Sequence, residues 1–103
     1  MDGRDKPGHD KIKRRMAAFV YVLGTLSKTR HLTYVGWTSD VARRLAQHNA
    51  GKGARSTRGR IWTLLHSERC KSKRAAMSRE WYLKRDRKFR KKLALRLHTG
   101  SVR

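Results

Sequence analysis

The sequence predicts an α+β fold in which helices flank a small, mostly antiparallel sheet of three strands. Two β-rich runs, residues 19–23 and 33–37, lie close together, and neighbouring runs of this length usually pair as a hairpin. An apolar pattern with helical spacing comes next, followed by a third β-rich run and a second helical pattern. The resulting order, β-β-α-β-α, is typical of the α+β class.

The chain of 103 residues supports one small domain, which we expect over residues 16–98. Residues 1–15 carry six Lys and Arg, three acids and no apolar period, which predicts a disordered basic tail. Met16 directly precedes the first strand and is an alternative start of the chain. Residues 99–103 are expected to form a C-terminal tail.

The two-residue period of a strand predicts which side chains share a face. Phe19, Tyr21 and Leu23 lie on one face of the first strand, and Tyr34 and Gly36 lie together on the second. We expect the first strand to be the central one.

The first helix is expected to begin near residue 40 and to end near residue 49. Thr38 and Ser39 are the candidate N-caps, and Asp40 suits the first turn. Its apolar stripe is predicted to comprise Val41, Ala42, Leu45 and Ala46.

The second half of the chain predicts a strand over residues 61–66 and a long helix capped by Ser72. This helix is expected to run to about residue 87, and its continuation as far as Leu97 is left open. Between the first helix and the third strand, residues 51–60 form a basic loop with three glycines.

The charge of the chain points to an anionic partner. Lys and Arg number 28 against 7 acids, a formal net charge of +21, and such self-repulsion destabilises a compact state unless a partner neutralises it. Nucleic acid is the leading candidate, because neutralising phosphates releases counterions, and an anionic membrane surface is the second. No apolar run approaches the roughly 20 residues of a membrane span. The single cysteine allows no intramolecular disulfide, and we expect a reducing cytoplasm.

Glu80 is the most informative acid. It falls within the apolar arc of its helix, where a carboxylate should face the sheet and needs a cation. The arc comprises Ala76, Met77, Trp81 and Leu83. Lys84, one turn on, is a candidate partner, and Lys73 could serve too. The alternative is a divalent metal held by one carboxylate and waters, as Mg²⁺ prefers when phosphate supplies further ligands.

Two further groups are candidates for chemistry. Arg44 and His48 adjoin on the first helix and could clamp a phosphate, although periodicity alone does not choose between Arg43 and Arg44. Tyr21 and Tyr34 lie on neighbouring strands and are either core aromatics or phenols that meet over an active site.

Several basic side chains are expected to contact phosphates. Glycines in the 51–60 loop would let backbone amides approach a phosphate closely, although plain solvation of the loop is equally open. The expected contacts are Lys52, Arg55, Arg58 and Arg60 in the loop, with Arg43 and Lys84 on the helices.

Taken together, these residues resemble the GIY-YIG nuclease family. The run Val20-Tyr21-Val22 is similar to its first motif and keeps the tyrosine, though not the leading Gly-Ile, and Tyr34-Val35-Gly36 is similar to its second. Arg44 and His48, ten and fourteen residues past Tyr34, resemble the helix residues of the family, and this spacing favours Arg44 over Arg43. Glu80 resembles its metal-binding glutamate. Residues 49–60 are similar to small stand-alone bacterial members and to structure-specific resolvases.

The resemblance implies metal-dependent hydrolysis of phosphodiester bonds, with DNA in repair or recombination as the expected substrate. Glu80 would hold one Mg²⁺ or Mn²⁺, and Arg44 would stabilise the developing charge. One phenol, Tyr21 or Tyr34, would take a proton from the attacking water, assisted by the other phenol or by His48. Tyr21 is preferred as the base because its strand is expected to be central. A phenol has an ordinary pKa of about 10, so it needs a cationic setting, which the basic chain is expected to supply.

Two other functions remain open. A non-catalytic basic nucleic-acid-binding module explains the charge and predicts salt-sensitive binding without cleavage. An interaction protein would instead have its basic face covered by an acidic partner. A protein partner or a homodimer is left open in every case.

Overall fold

The structure, a computed structural model, describes residues 17–27 and 30–102. Three strands, β1 (Ala18–Ser27), β2 (Arg30–Thr38) and β3 (Thr63–Cys70), form an antiparallel sheet in the order β2-β1-β3. The helices are α1 (Val41–Asn49), α2 (Lys73–Arg85) and α3 (Arg87–Val102), with a short 3-10 turn at Arg55–Thr57. The predicted α+β class, the hairpin and the central first strand are confirmed. The predicted tail over residues 1–15 lies outside the described residues.

The sheet has an apolar cluster on each face, as expected when helices cover it on both sides. Tyr21 pairs with Gly36 and Leu23 with Tyr34, so these four residues share the face where Trp62 is also buried. The opposite cluster holds Val20, Val22, Val35, Leu65, Leu83 and Leu93. The alternation predicted for the two strands is therefore confirmed, and the Tyr21 face is the one that carries the site.

The helix boundaries correct three sequence predictions. Asp40 itself is the N-cap of α1, because its side chain accepts a hydrogen bond from the Arg43 amide at 3.1 Å, whereas Thr38 and Ser39 lie outside the helix. Ser72 caps α2 as predicted. The predicted long helix is two helices. α2 ends at Arg85, and the Asp86 carboxylate caps the start of α3 by accepting a hydrogen bond from the Phe89 amide at 3.1 Å. The α3 backbone continues to Val102, through most of the segment predicted as a C-terminal tail.

The third strand is shifted from the predicted residues 61–66 to Thr63–Cys70. The cause is Asn49 at the end of α1, whose side chain accepts from the Trp62 amide at 2.7 Å and donates to the Trp62 carbonyl at 3.1 Å. Trp62 therefore cannot join the ladder with β1. The strand instead extends to Cys70, which pairs with Ala18.

The predicted apolar stripes are partly wrong for both helices. In α1 the inward positions are Val41, Arg44, Leu45 and His48, one helical face, while Ala42 and Ala46 are exposed. In α2 the buried side chains are Ala76 and Leu83, whereas Met77 and Trp81 are about half exposed. In α1, Arg44 and His48 therefore occupy the inward face on which apolar periodicity had placed Ala42 and Ala46. No helix in the described part of the chain is both long and apolar enough to cross a membrane.

Candidate active site

Tyr21 stands at the centre of the site, on the central strand, with 1 % of its surface exposed. Its cross-strand partner is Gly36, and a Cβ atom there would lie 2.6 Å from the Tyr21 hydroxyl and 3.1 Å from the Tyr34 ring. Only glycine leaves room for the phenol to lie across β2. The Tyr-Val-Gly run thus has a steric reason for its glycine.

His48, on the inward face of α1, is completely buried and forms hydrogen bonds through both ring nitrogens. Its Nε2 lies 2.8 Å from the Tyr21 hydroxyl, and its Nδ1 lies 2.8 Å from the Thr57 hydroxyl. Thr57 donates its single hydroxyl hydrogen to the Ala54 carbonyl at 2.8 Å, so it accepts from His48. We assign the Nδ1–H tautomer on this ground, which leaves Nε2 to accept the proton of Tyr21.

The basic loop shapes this histidine site, a role that sequence patterns missed. Thr57 is completely buried, and its carbonyl accepts from the Trp62 indole at 2.8 Å. A Cβ atom on Gly53 would lie 2.3 Å from Nδ1 of His48, so the loop packs directly against the imidazole. The predictive signal was present as a glycine and a threonine, but both residue types are common in loops.

Tyr34 completes an aromatic cluster around the histidine. Its ring centroid lies 4.9 Å from that of His48 and 6.3 Å from that of Tyr21. Tyr34 is partly buried, whereas Tyr21 and His48 are buried. The two phenols therefore meet on one face of the sheet. Of the two, Tyr21 is the one with a hydrogen bond to the imidazole.

Arg44 lies beside this cluster, and Arg43 is exposed on the outer side of α1. The Arg44 guanidinium donates to the Gln47 side chain at 2.9 Å and borders a cleft of about 310 Å³ shared with Trp37, Asp40 and Arg43. A partly buried guanidinium with donors left over at an open cleft is suited to a phosphate oxygen.

Glu80 comes to the site from α2. Its side chain is 22 % exposed, and its carboxylate lies 3.4 Å from the Lys84 ammonium, one turn on. The described residues hold no cluster of three or more acidic, histidine or cysteine ligands. A single carboxylate of this kind fits a hard divalent ion that keeps its waters and takes phosphate oxygens as further ligands. Glu80 would then exchange the ammonium of Lys84 for the ion.

The shifts in the pKa values of Tyr21 and His48 keep both side chains neutral. Burial raises the pKa of Tyr21 above its ordinary value, and Tyr34 and then Glu80 add to the rise, while the hydrogen bond and the charge of Arg44 oppose it. Burial and then the Arg44 charge lower the pKa of His48. The expectation that cationic surroundings would make the phenol acidic is therefore wrong for the isolated chain, because desolvation outweighs them. The neutral imidazole is the proton acceptor that the structure provides.

The basic residues predicted to contact phosphates lie on the surface. Lys52, Arg55, Arg58 and Arg60 are exposed on the loop, as is Arg43 on α1. Lys84 is exposed as well but is paired with Glu80.

Tyr34 and His48 lie against Tyr21, and the charges of Arg44 and Glu80 both act on its phenol. The family model of the GIY-YIG catalytic domain matches residues 17–93, which include all of them. The chain belongs to the GIY-YIG family. It therefore carries the catalytic domain of a nuclease family, for which nucleic acid is the substrate and a divalent metal is generally required.

Relatives of similar size share this GIY-YIG domain. The chain is 43 % identical to a UPF0213 protein of Natronomonas pharaonis over 83 residues, which cover 80 % of this chain and 94 % of the relative. It is 47 % identical to a UPF0213 protein of Streptococcus pyogenes serotype M3 over 78 residues, 75 % of this chain and 82 % of the relative. No solved structure matches the chain significantly. The likeness spans most of each small relative, which supports a stand-alone GIY-YIG protein.

Proposed function

We propose that this protein is a metal-dependent endonuclease that hydrolyses phosphodiester bonds in DNA. The observation that carries the proposal is the hydrogen bond of 2.8 Å between the Tyr21 hydroxyl and Nε2 of His48, inside a catalytic domain of the GIY-YIG type. A buried phenol needs only one partner to be satisfied, and a backbone carbonyl would suffice. The partner here is instead an imidazole held in one tautomer, and its free Nε2 can accept the phenol proton.

The pair acts as a relay for one proton. The Tyr21 oxygen takes a proton from the attacking water while its own proton passes to Nε2 of His48. The water oxygen forms the new bond to phosphorus, and the bond to the leaving ester oxygen breaks. That oxygen keeps the bonding electron pair and takes a proton from solvent. Tyr21 is preferred to Tyr34 as the base because its hydroxyl lies 2.8 Å from Nε2 of His48, which can take the proton onward.

The remaining residues bind and stabilise. Arg44 donates to the phosphate oxygens on which charge develops in the transition state. Glu80 would hold one Mg²⁺ or Mn²⁺, which supplies a Lewis acid at a phosphate oxygen when bound. Lys52, Arg55, Arg58, Arg60 and Arg43 bind the DNA backbone electrostatically, which gives affinity without reading base sequence.

The test compares wild type with Glu80→Gln, which keeps the size of the side chain and removes its charge. Asp86→Asn is the matched control, since it makes the same chemical change on the next acid along the chain and an asparagine still caps α3. Each protein is incubated with labelled single-stranded, duplex and branched DNA and with RNA, in Mg²⁺, Mn²⁺ or EDTA.

We expect wild type and Asp86→Asn to cleave DNA only when a divalent metal is present. The cleavage rate of Glu80→Gln should be lower by about 100-fold or more. Cleavage by Glu80→Gln at the wild-type rate would overturn the role of this carboxylate. Salt-dependent binding with no cleavage under any condition would instead favour a non-catalytic nucleic-acid-binding module.

A further inference from the structure

The outward face of α2 carries an apolar patch that the fold does not need. Met77, Trp81 and Tyr82 are 48 %, 51 % and 59 % exposed, and they lie on the side of the helix away from the buried Ala76 and Leu83. These three side chains border an open groove of about 820 Å³. We call this surface the α2 groove.

The α2 groove combines aromatic rings with basic side chains. The Arg85 guanidinium lies over the Trp81 ring, 3.7 Å from its centroid, and the Tyr82 ring meets Trp81 edge to face with centroids 5.0 Å apart. Lys73 and Arg74 line the same groove. Aromatic rings among Lys and Arg are the elements with which proteins bind single-stranded nucleic acid, because bases stack on the rings and phosphates meet the cations.

The charge of α2 indicates what covers the groove. The helix carries five basic residues and one acid, Glu80, which is already paired with Lys84. A second copy of this chain would bring its own basic groove against this one, and like charges would oppose the contact. A polyanion with exposed π faces neutralises the charge and covers the rings at once.

The α2 groove adjoins the candidate active site. Trp81 is the residue after Glu80, and Lys73, at the other end of the groove, lies over the Trp37 ring that borders the Arg44 cleft. A strand whose phosphate reaches Glu80 and Arg44 therefore has its neighbouring nucleotides beside α2. In a duplex those bases are stacked within the helix and show no free face to Trp81.

We propose that the α2 groove binds unpaired nucleotides of the DNA strand next to the bond that is cut, with Trp81 as the ring on which a base stacks. This inference rests on the proposed function, since it names the substrate class of that site. It makes the protein a nuclease for DNA with single-stranded segments, such as flaps and branch points.

The test measures binding in EDTA, where no metal-dependent cleavage occurs, so that it is independent of turnover. Fluorescence anisotropy gives the Kd of a short single-stranded DNA and of a blunt duplex for wild type, Trp81→Ala, Trp81→Leu and Trp81→Phe. Ile61→Ala is the control for loss of an exposed apolar side chain, because Ile61 is 73 % exposed and does not line the groove. Circular dichroism confirms that each variant is folded.

We expect Trp81→Ala and Trp81→Leu to weaken single-strand binding by about 5- to 150-fold, while Trp81→Phe keeps most of the affinity. Duplex binding should change by less than about twofold, and Ile61→Ala should match wild type on both ligands. The salt dependence should stay the same for Trp81→Leu because no phosphate contact is lost.

The inference would be overturned by no loss on single strands, an equal loss on duplex, equal binding by Trp81→Leu and Trp81→Phe, or a wild-type dimer that Trp81→Ala dissociates in sedimentation. Binding of an RNA of the same sequence more tightly than the DNA would also overturn it. If wild type shows the single-strand selectivity but Glu80→Gln cleaves as wild type does, the catalytic role of Glu80 is wrong. The inference that the α2 groove binds unpaired nucleotides would still hold.

Discussion

Thr57 fixes the proton on His48, and replacing it with valine tests that role. Valine has nearly the shape of threonine but no hydroxyl, so His48 loses the acceptor at 2.8 Å from its Nδ1 and the Ala54 carbonyl loses one of its two donors. All of this takes place where both side chains are completely buried. The imidazole can recover only by moving its hydrogen to Nε2, which would turn Tyr21 from donor into acceptor.

The expected cost follows from these two contacts. A buried donor left without a partner costs about 1–3 kcal/mol, and the second hydrogen bond contributes about 1 kcal/mol, so Thr57→Val should lower the free energy of unfolding by about 2–4 kcal/mol. In a domain of this size each kcal/mol lowers Tm by about 4–8 °C. Thr57→Ser is the matched control, since it keeps the hydroxyl and loses one methyl group, at about 1 kcal/mol.

Thermal and urea unfolding give these free energies, and nitrogen NMR of the imidazole reports the tautomer directly. We expect Nδ1–H in wild type and Thr57→Ser, a mixture of tautomers in Thr57→Val, and a cleavage rate at least about tenfold lower in Thr57→Val than in Thr57→Ser. Equal stability of the two variants, with Nδ1–H retained in both, would show that Thr57 does not fix the tautomer. Hydrogen on Nε2 in wild type would refute the tautomer assignment and the relay built on it.

The other predictions concern the clamp, the steric fit and the pH dependence. Gly36→Ala should cost about 1–3 kcal/mol in thermal unfolding and lower the cleavage rate, because the new Cβ would lie 2.6 Å from the Tyr21 hydroxyl; unchanged Tm would contradict it. Arg44→Ala should lower kcat by about 100-fold, whereas Arg43→Ala should mainly weaken binding and reduce its salt slope by about 1; equal kcat losses would argue against this division of roles. The pKa of His48 is lowered by burial and the folded site binds the neutral form, so the free energy of unfolding should be full above about pH 6.5 and fall as the pH drops below it. Cleavage should rise with pH through the same lowered pKa and then level off, and a fall over that range would exclude His48 as the acceptor.

Strand periodicity was sufficient to predict the hairpin of β1 and β2, and the N-cap at Ser72 was sufficient to predict the start of α2. Side-chain alternation on β1 and β2 placed Tyr21, Tyr34 and Gly36 on one face, as the register shows. The third strand was misplaced because its start depends on a contact between Asn49 and Trp62, which local patterns do not encode.

The site shows the same division between local and long-range information. Helical spacing placed Arg44 beside His48 but did not choose it over Arg43, which took the spacing of the family motif. The burial of His48 depends on Gly53 and Thr57, which come from the following loop. The direction of the Tyr21 pKa shift was also beyond the sequence. Net charge counts every cation in the chain, whereas burial acts only on the one phenol.

The most direct measurement of the catalytic proposal is single-turnover cleavage by Tyr21→Phe, with metal and saturating protein. This variant loses only the hydroxyl that lies 2.8 Å from His48. We expect its rate to fall by about 100- to 10,000-fold while its Kd for DNA in EDTA stays within about twofold of wild type. Tyr34→Phe, which keeps its ring against His48, should remain at least about tenfold faster than Tyr21→Phe. Cleavage by Tyr21→Phe within about threefold of the wild-type rate would contradict the proposal that this phenol and His48 carry the proton.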